Sequence, residues 1–503
     1  MKTVIAYDLG TGGVKASLYN DKGQSLASTF VEYETFYPDH GLHEQRPMDW
    51  WDGIVTSTQH LLEGSKVESK DVVSIALSGH SLVTVPIDEK GNILLEQVPI
   101  WSDTRAVAQA KQFFEKVDEE AWYLATGNGF PPPCYSVFKL MWMKEHQPEV
   151  FGRIHKVLGS KDFINFKLTG KVFTDYSYAS GMGAYDLVNR EMKAEILAAA
   201  GLPLEIFPKI VESSHVLGNL IPSVAEELGL TTETIVACGG VDNACMALGA
   251  CGGDEGSCYS SLGSSSWIAV NSTKPILDAK QRPYVFAHIE PKMFTSAFSI
   301  FSGGSSLRWV RDNICRDVDK EEAYLKMNEM AREVPIGSNG VLFNPSLAGG
   351  TSQDKSINIR GAFVNLSLGN SREELVRATM EGIALNLRMS LNNLKKHTSL
   401  SEEILFCGGG SKSPLWMQMF ADIFEMTILK TNVDQEAASL GAAAIAFVGV
   451  GVWKDYSIIP GLHQVENLSK PNEEAVKAYQ EIFKRFVFIN EKMAEIGDYI
   501  YDS

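Results

Sequence analysis

The chain has 503 residues, 45% hydrophobic and 21% charged, with a net charge of −17. That length predicts two or three domains rather than one core. The acidic balance argues against nucleic acid or membrane partners, since the summed field repels phosphates; a phosphate ligand must be held by local devices such as backbone N–H groups, a metal ion or single cations.

The N-terminal run Val4-Ile5-Ala6-Tyr7, closed by Asp8, reads as a strand and not as a signal peptide. It opens a predicted β-hairpin, Thr3 to Asn20, with the bend Asp8-Leu9-Gly10-Thr11-Gly12-Gly13-Val14-Lys15. Glycines let backbone N–H groups approach an anion closely, Thr11 adds a hydroxyl and Lys15 a cation. Asp8 can orient a magnesium ion through water. The spacing fits neither a Walker A loop nor a dinucleotide fingerprint.

Val72 to Leu77 is a second strand, ending at Ser78-Gly79-His80. Trp101-Ser102-Asp103-Thr104-Arg105 joins a large ring, a carboxylate and a guanidinium, a set that can bind a sugar or form a salt bridge beside a core Trp. Thr234 to Cys238 is a third strand, followed by Gly239-Gly240-Val241-Asp242 and a helix from Asn243. Asp242 can serve there as a helix N-cap or as a general base.

The second half repeats the order. Ser257 to Asn271 is a hairpin with the bend Leu262-Gly263-Ser264-Ser265, and Glu403 to Cys407 is a strand running into Gly408-Gly409-Gly410. A helix follows from Pro414 to Phe424, with Ser413 as a candidate N-cap. Leu440 to Trp453 is too short to span a bilayer and reads as a buried helix and turn. Leu9-Gly10-Thr11-Gly12 matches Leu262-Gly263-Ser264-Ser265, and Cys238-Gly239-Gly240 matches Cys407-Gly408-Gly409. Two matches in the same order predict duplicated α/β domains facing each other across a cleft. The seven cysteines contain no CxxC pair, which gives zinc or redox chemistry no support and points to a reducing cytoplasm.

These residues resemble the FGGY family of carbohydrate kinases, within the actin-like ATPase superfamily, from Val4 to about Gly449. Asp8 to Lys15 resembles the family's first phosphate loop, His43-Glu44-Gln45 to Trp51 its "EQ…W" segment and Trp101 to Arg105 its W-x-D-x-R. Ser136 to Met143 resembles the first signature. Gly361-Ala362-Phe363 with Arg377 to Gly382 resembles the second. Gly408 to Gln418 and Glu436 to Ala442 resemble the adenosine region.

The resemblance implies an α/β fold of two duplicated actin-like, ribonuclease H-like domains. Residues 1–247 would bind the sugar and carry the base, and residues 248–503 would bind the nucleotide. It implies ATP with Mg²⁺, a small sugar acceptor, no nucleic acid or membrane partner, and leaves a homodimer open. Asp242 would be the base, with Asn243 beside it on the acceptor. Gly10, Thr11, Gly12, Gly13 and Lys15 would meet the phosphates. Ser264, Gly304 and Arg308 would meet the nucleotide from the other domain, and Gly409 and Ser413 would lie along the adenosine. Trp101, Asp103, His80, Ser81 and Leu82 would line the sugar site.

Four features depart from the family pattern, one of them Cys134, which stands where the first signature usually begins with Tyr, Phe, Met, Gly or Ser. Gly12 stands where many relatives have Thr or Ser, and Asn365 where many have glycine. His80-Ser81-Leu82-Val83 replaces the Gln-Met-His-Gly of xylulokinases and lacks the Arg-Glu pair of glycerol kinases. The expected activity is xylulokinase-like phosphorylation of a small ketose or polyol. The alternatives are ribulose, a deoxyketose, gluconate, glycerol or a signalling diol as acceptor, and a non-kinase actin-like ATPase.

Overall fold

A computed structural model describes residues 2–501. The first sheet uses β1 (Thr3–Leu9), β2 (Gly13–Asn20), β3 (Ser25–Glu32), β4 (Val72–Gly79), β5 (Val216–Asn219) and β6 (Ile235–Ala237), in the order β5-β6-β4-β1-β2-β3. The second uses β7 (Cys258–Leu262), β8 (Ser266–Ser272), β9 (Tyr284–Ala287), β10 (Phe294–Ile300), β11 (Glu403–Cys407), β12 (Thr427–Thr431) and β13 (Val465–Ser469), in the order β9-β10-β8-β7-β11-β12-β13. In each, a hairpin (β1-β2 or β7-β8) is followed by two parallel neighbours, β4 and β6 or β11 and β12.

Strand alternation divides each sheet into two faces. On the first sheet Ile5, Tyr7, Leu9, Ile75 and Leu77 pack under α1 (Pro47–Gly64) and α2 (Ser160–Thr169). Pro47 starts α1, and Trp50, Ile54, Thr58 and Leu61 recur at helical spacing on its buried side. The other face carries the smaller Val4, Ala6, Ala76 and Ala237. It receives α3 (Asp242–Cys251) and, from the distal half of the chain, α7 (Ala437–Gly449). On the second sheet Ile268, Val270, Ile404 and Phe406 share a core with α5 (Arg372–Lys395) and α6 (Pro414–Phe424). The first helix after β10 is α4 (Gly304–Asn313).

Helices α3 and α7 cross between the sheets in a reciprocal contact. A Cβ on Gly249 would lie 1.8 Å from Ala437 O, and one on Gly441 would lie 2.0 Å from Cys245 O. Only glycine allows this approach. A division at residues 247/248 falls within α3, which bridges the two sheets.

The topology corrects one expected equivalence. Bends 9–12 and 262–265 close the two equivalent hairpins. Cys407-Gly408, however, ends the strand parallel to β7, so its counterpart is Ser78-Gly79 at the end of β4. The counterpart of Asp242 is Asp434: each lies three residues before the helix position (Cys245 or Ala437) whose carbonyl meets the opposing glycine. Glycine-rich strand ends look alike in sequence, and strand pairing tells them apart.

Candidate active site

The ladder brings three chain segments to one edge of the first sheet. Asp8, Ser78 and Gly240 lie in one row, and Leu9, Gly79 and Val241 in the next. The chain beyond this edge forms the bend Gly10–Gly12, the loop His80–Leu82 and the start of α3 with Asp242 and Asn243. Ligands of α/β sheets bind at such carboxyl ends.

Asp242 is the first residue of α3 and partly accessible, with Val241 in the cap position. Among the described residues, Asn243 alone donates to it from another residue, N at 2.8 Å and Nδ2 at 3.1 Å to Oδ1. Burial pushes its carboxyl up to about 7; the Asn243 amide opposes this and the Asp8 charge adds to it. Its counterpart Asp434 accepts from Gly408 N at 2.8 Å and holds the glycine turn. One twin is a brace, while the other is free to act as a proton acceptor near neutral pH.

Asp8 accepts from Ser78 Oγ at 2.7 Å. Burial raises its carboxyl, Ser78 and Lys15 offset this, and Glu436 reinforces it. Lys15 lies opposite Asp8 in the hairpin and forms an ion pair with Glu436, just before α7. Ser17 Oγ also donates to Glu436, at 3.1 Å.

The first bend is held from behind. Gln45 Nε2 donates to Thr11 O at 2.6 Å, Trp50 Nε1 donates to Gln45 Oε1 at 3.0 Å, and Tyr33 OH donates to Gly10 O. Gly12 is exposed, with nothing within 4 Å of a Cβ placed there.

On the expected sugar side, Ser81 and Asn243 are partly accessible, and Trp101 is exposed with Nε1 donating to Thr11 Oγ1 at 2.9 Å. Three expected sugar contacts are enclosed instead. Asp103 is fully buried and takes Arg105 Nε and Nη2, each at 2.8 Å, and His43 N at 2.8 Å. His80 is buried, and its ring Nδ1 lies 3.1 Å from Leu9 O; burial lowers its imidazole to about 4, so it is neutral. Leu82 is buried with its backbone at φ 61°. Asp103 is thus engaged by its own neighbours, whereas His80 Nε2 finds no partner among the described residues.

In the second domain, Gly304 N donates to Gly263 O at 2.9 Å, and Arg308 Nη2 reaches Ser264 Oγ at 3.1 Å. Arg308 and Ser264 are exposed, and so is Gly409 in the turn before α6. Ser413 is the N-cap of α6: its Oγ accepts from Trp416 N at 3.1 Å and donates to Asn328 Oδ1 at 2.6 Å. That engagement leaves the hydroxyl to the helix end rather than to a ribose.

Sequence reading did not select Tyr33, Gln45, Asp434 or Glu436 as site residues. Gln45 and Glu436 do lie in the "EQ" and Glu436–Ala442 segments, and Asp434 has the helix spacing of Asp242 as its signal.

The FGGY family of carbohydrate kinases, N-terminal domain, matches residues 3–249, and its C-terminal domain matches residues 258–450. A xylulose kinase of Bacillus subtilis is 32% identical over 454 residues, covering 90% of this chain and 89% of that protein. The chain belongs to the FGGY family of carbohydrate kinases. It is an ATP-dependent sugar kinase. A gluconokinase of Bacillus licheniformis is 26% identical, covering 96% of this chain and 94% of that protein. The ligand-bound xylulose kinase structure from Lactobacillus acidophilus superposes with a TM-score of 0.91 at 26% identity, covering 98% and 99% of the two chains. The kinase has the two-domain actin-like ATPase fold of these structures. Among the described residues no helix is long and apolar enough to cross a membrane.

Proposed function

We propose that the kinase phosphorylates a small neutral ketose or polyol in the cytoplasm, with Asp242 as general base. The supporting observation is the pair Asp242 and Asp8 at one sheet edge behind the glycine bend, with the Asp242 carboxyl poised near neutrality. Asp242 takes the acceptor's hydroxyl proton, the freed oxygen bonds to the γ-phosphorus, and the bond from that phosphorus to the β–γ bridging oxygen breaks. ADP leaves with that electron pair. Gly10, Thr11, Gly12 and Gly13 orient the phosphates from one domain, Ser264, Gly304 and Arg308 from the other, and Gly409 supports the adenosine. In this reading residues 1–247 supply acceptor site and base, and residues 248–503 the nucleotide site.

The residues fit a magnesium ion: Asp8 is a half-buried carboxylate beside a second one, an excess of negative charge that a divalent cation relieves. Asp8 would hold it through water, and bound Mg²⁺ would neutralise phosphate charge. The seven cysteines are unpaired, which fits a reducing compartment.

The cations near the sugar side disfavour an aldonate. Arg105 is engaged by Asp103 and Glu44, and Lys139 donates to the carbonyls of Leu82 and Ile100. A substrate carboxylate would find neither cation free. The test is ADP release by purified protein on pentuloses, polyols and aldonates; turnover confined to aldonates would overturn the neutral-acceptor reading.

A further inference from the structure

Below Asp242 lies a charged cluster sealed from solvent. Lys161, at the start of α2, has its Nζ 2.6 Å from Asp162 Oδ1 and 3.0 Å from Asp175 Oδ1, and all three side chains are fully buried. A buried ion cluster adds little net stability, because desolvation offsets the attraction. What it supplies is fixed geometry, and here its hydrogen bonds lead to both loops of the acceptor side.

The strand carrying Asp242 is broken. β6 ends at Ala237, pairing with β4 resumes at Gly240–Val241, and Gly239 bridges the break at φ 76°. A Cβ at Gly239 would lie 2.2 Å from Leu77 O, so the kink is fitted tightly against β4. Before the kink, Cys238 O accepts from Lys161 Nζ at 3.3 Å and from Asn165 Nδ2 at 2.7 Å. After it, Val241 N donates to Ser177 Oγ at 2.9 Å, and Ser177 Oγ donates to Asp175 Oδ2. The cluster therefore grips the chain on both sides of the kink, the second grip at the residue before Asp242. It also reaches the other loop: His80 O accepts from Ser160 Oγ at 2.8 Å and Tyr178 OH at 3.0 Å, the neighbours of Lys161 and Ser177.

We propose that Lys161, Asp175 and Ser177 are positioning residues for phosphoryl transfer: they set the Cys238–Val241 segment, and through it the carboxylate of Asp242, relative to the His80–Ser81 loop. The proposal rests on the reading of Asp242 as base. None of the three reaches the acceptor; each acts through the main chain. Ser177 is the clearest probe, because its hydroxyl links Asp175 to the last amide before the base. The Ser177 hydroxyl donates its hydrogen bond to Asp175 Oδ2, which leaves its lone pairs to accept from Val241 N–H.

The test measures kcat, KM for acceptor and KM for ATP in Ser177→Ala, Asp175→Asn, Asp242→Asn and the double variant Ser177→Ala/Asp242→Asn, on whichever acceptor the wild type turns over, with melting curves alongside. Ser177→Ala is expected to lower kcat by about 10- to 100-fold, the cost of an ångström-scale misplacement, with both KM values within about twofold. Added to Asp242→Asn it should cost little more, because the two act as one unit. Ser177→Ala with wild-type kcat and a normal melting curve overturns the positioning role while leaving the base intact. Losses that multiply in the double variant overturn it too. Asp242→Asn with near-normal kcat overturns the underlying reading instead. If Asp175→Asn does not fold, the Ser177 series decides alone.

Discussion

Lys15 and Glu436 are joined by an ion pair across the two halves of the kinase, Lys15 on the first hairpin and Glu436 at the head of the crossing helix α7. Ser17 and Ser439 converge on the same carboxylate at 3.1 Å each. The lysine expected to meet a phosphate is therefore held here by a carboxylate, and a triphosphate would compete for it. Glu436→Gln removes that competitor. Nucleotide binding should tighten by about 2- to 5-fold, the range of a partly exposed ion pair, with a weaker dependence on acceptor. Calorimetry with ADP checks this; unchanged or weaker binding would detach Lys15 from the phosphate site.

With Asp242 as the proposed base, Asp242→Asn should lower kcat by about 10²- to 10⁴-fold with little change in ATP affinity, since that base would face the acceptor. In the wild type the base works deprotonated, so kcat/KM should fall on the acid side of about 7. Stability carries the opposite sign. The folded carboxyl is raised, so between the ordinary carboxylate range and about 7 the folded state binds the extra proton and stability falls as pH rises. The Asn variant should melt higher than the wild type above that window and lose its advantage below it. An Asn variant with wild-type kcat reduces Asp242 to a helix-end residue.

The crossing of α3 and α7 predicts the cost of a single methyl group. Gly249→Ala or Gly441→Ala places a Cβ within 2.0 Å of a backbone carbonyl, which no side-chain rotation relieves. Each should destabilise by about 1–3 kcal/mol, read by urea unfolding, as overpacked contacts do. A neutral result would mean the helices separate without strain, against a tight reciprocal crossing.

Gly12 predicts the opposite. Its Cβ position is open, with nothing within 4 Å of it. Gly12→Ser should fold normally, with stability unchanged or raised by about 0.4–1 kcal/mol through the unfolded state. The added hydroxyl should lower KM for ATP. A higher KM would place the residue away from the phosphates.

Short-range features of this kinase were legible in its sequence: both hairpins, the strand Glu403–Cys407 and the helix Pro414–Phe424 follow from local alternation, glycine bends and a serine cap. What sequence could not separate were groups whose role depends on distant partners. Asp103 has the chemistry of a sugar ligand, yet Arg105 and the amide of His43 enclose it. His80 looks like a loop contact but turns inward against Trp50. Asp242 and Asp434 share a spacing, and only the hydrogen bond from Gly408 to one of them shows which is a brace. The Lys161–Asp175 pair and the grip of Lys161 on Cys238 join residues far apart in the chain, with no local pattern to announce them.

The acceptor prediction follows from which side chains remain available. Of the loop His80-Ser81-Leu82, His80 and Leu82 are enclosed and Ser81 alone presents a partly accessible hydroxyl. Trp101 offers a ring face, Asn243 an amide and Asp242 the base. An acceptor hydroxyl aimed at the place of a missing polar side chain is left unpaired, at a cost of ~1–3 kcal/mol, or about 5- to 150-fold in specificity. The preferred substrate should therefore be related to xylulose but differ in length, stereochemistry or a missing hydroxyl. The measurement is kcat/KM for D-xylulose against D- and L-ribulose, L-xylulose, a deoxyketose, erythritol and glycerol. Ser81→Ala should then lower kcat/KM on the best acceptor and flatten the ranking, because the remaining polar reader of this loop is gone. If D-xylulose leads the panel by about 100-fold or more, a gap larger than one unpaired hydroxyl usually creates, the loop does not discriminate as argued. Specificity would then have to come from Trp101, Asn243 and the residues opposite them.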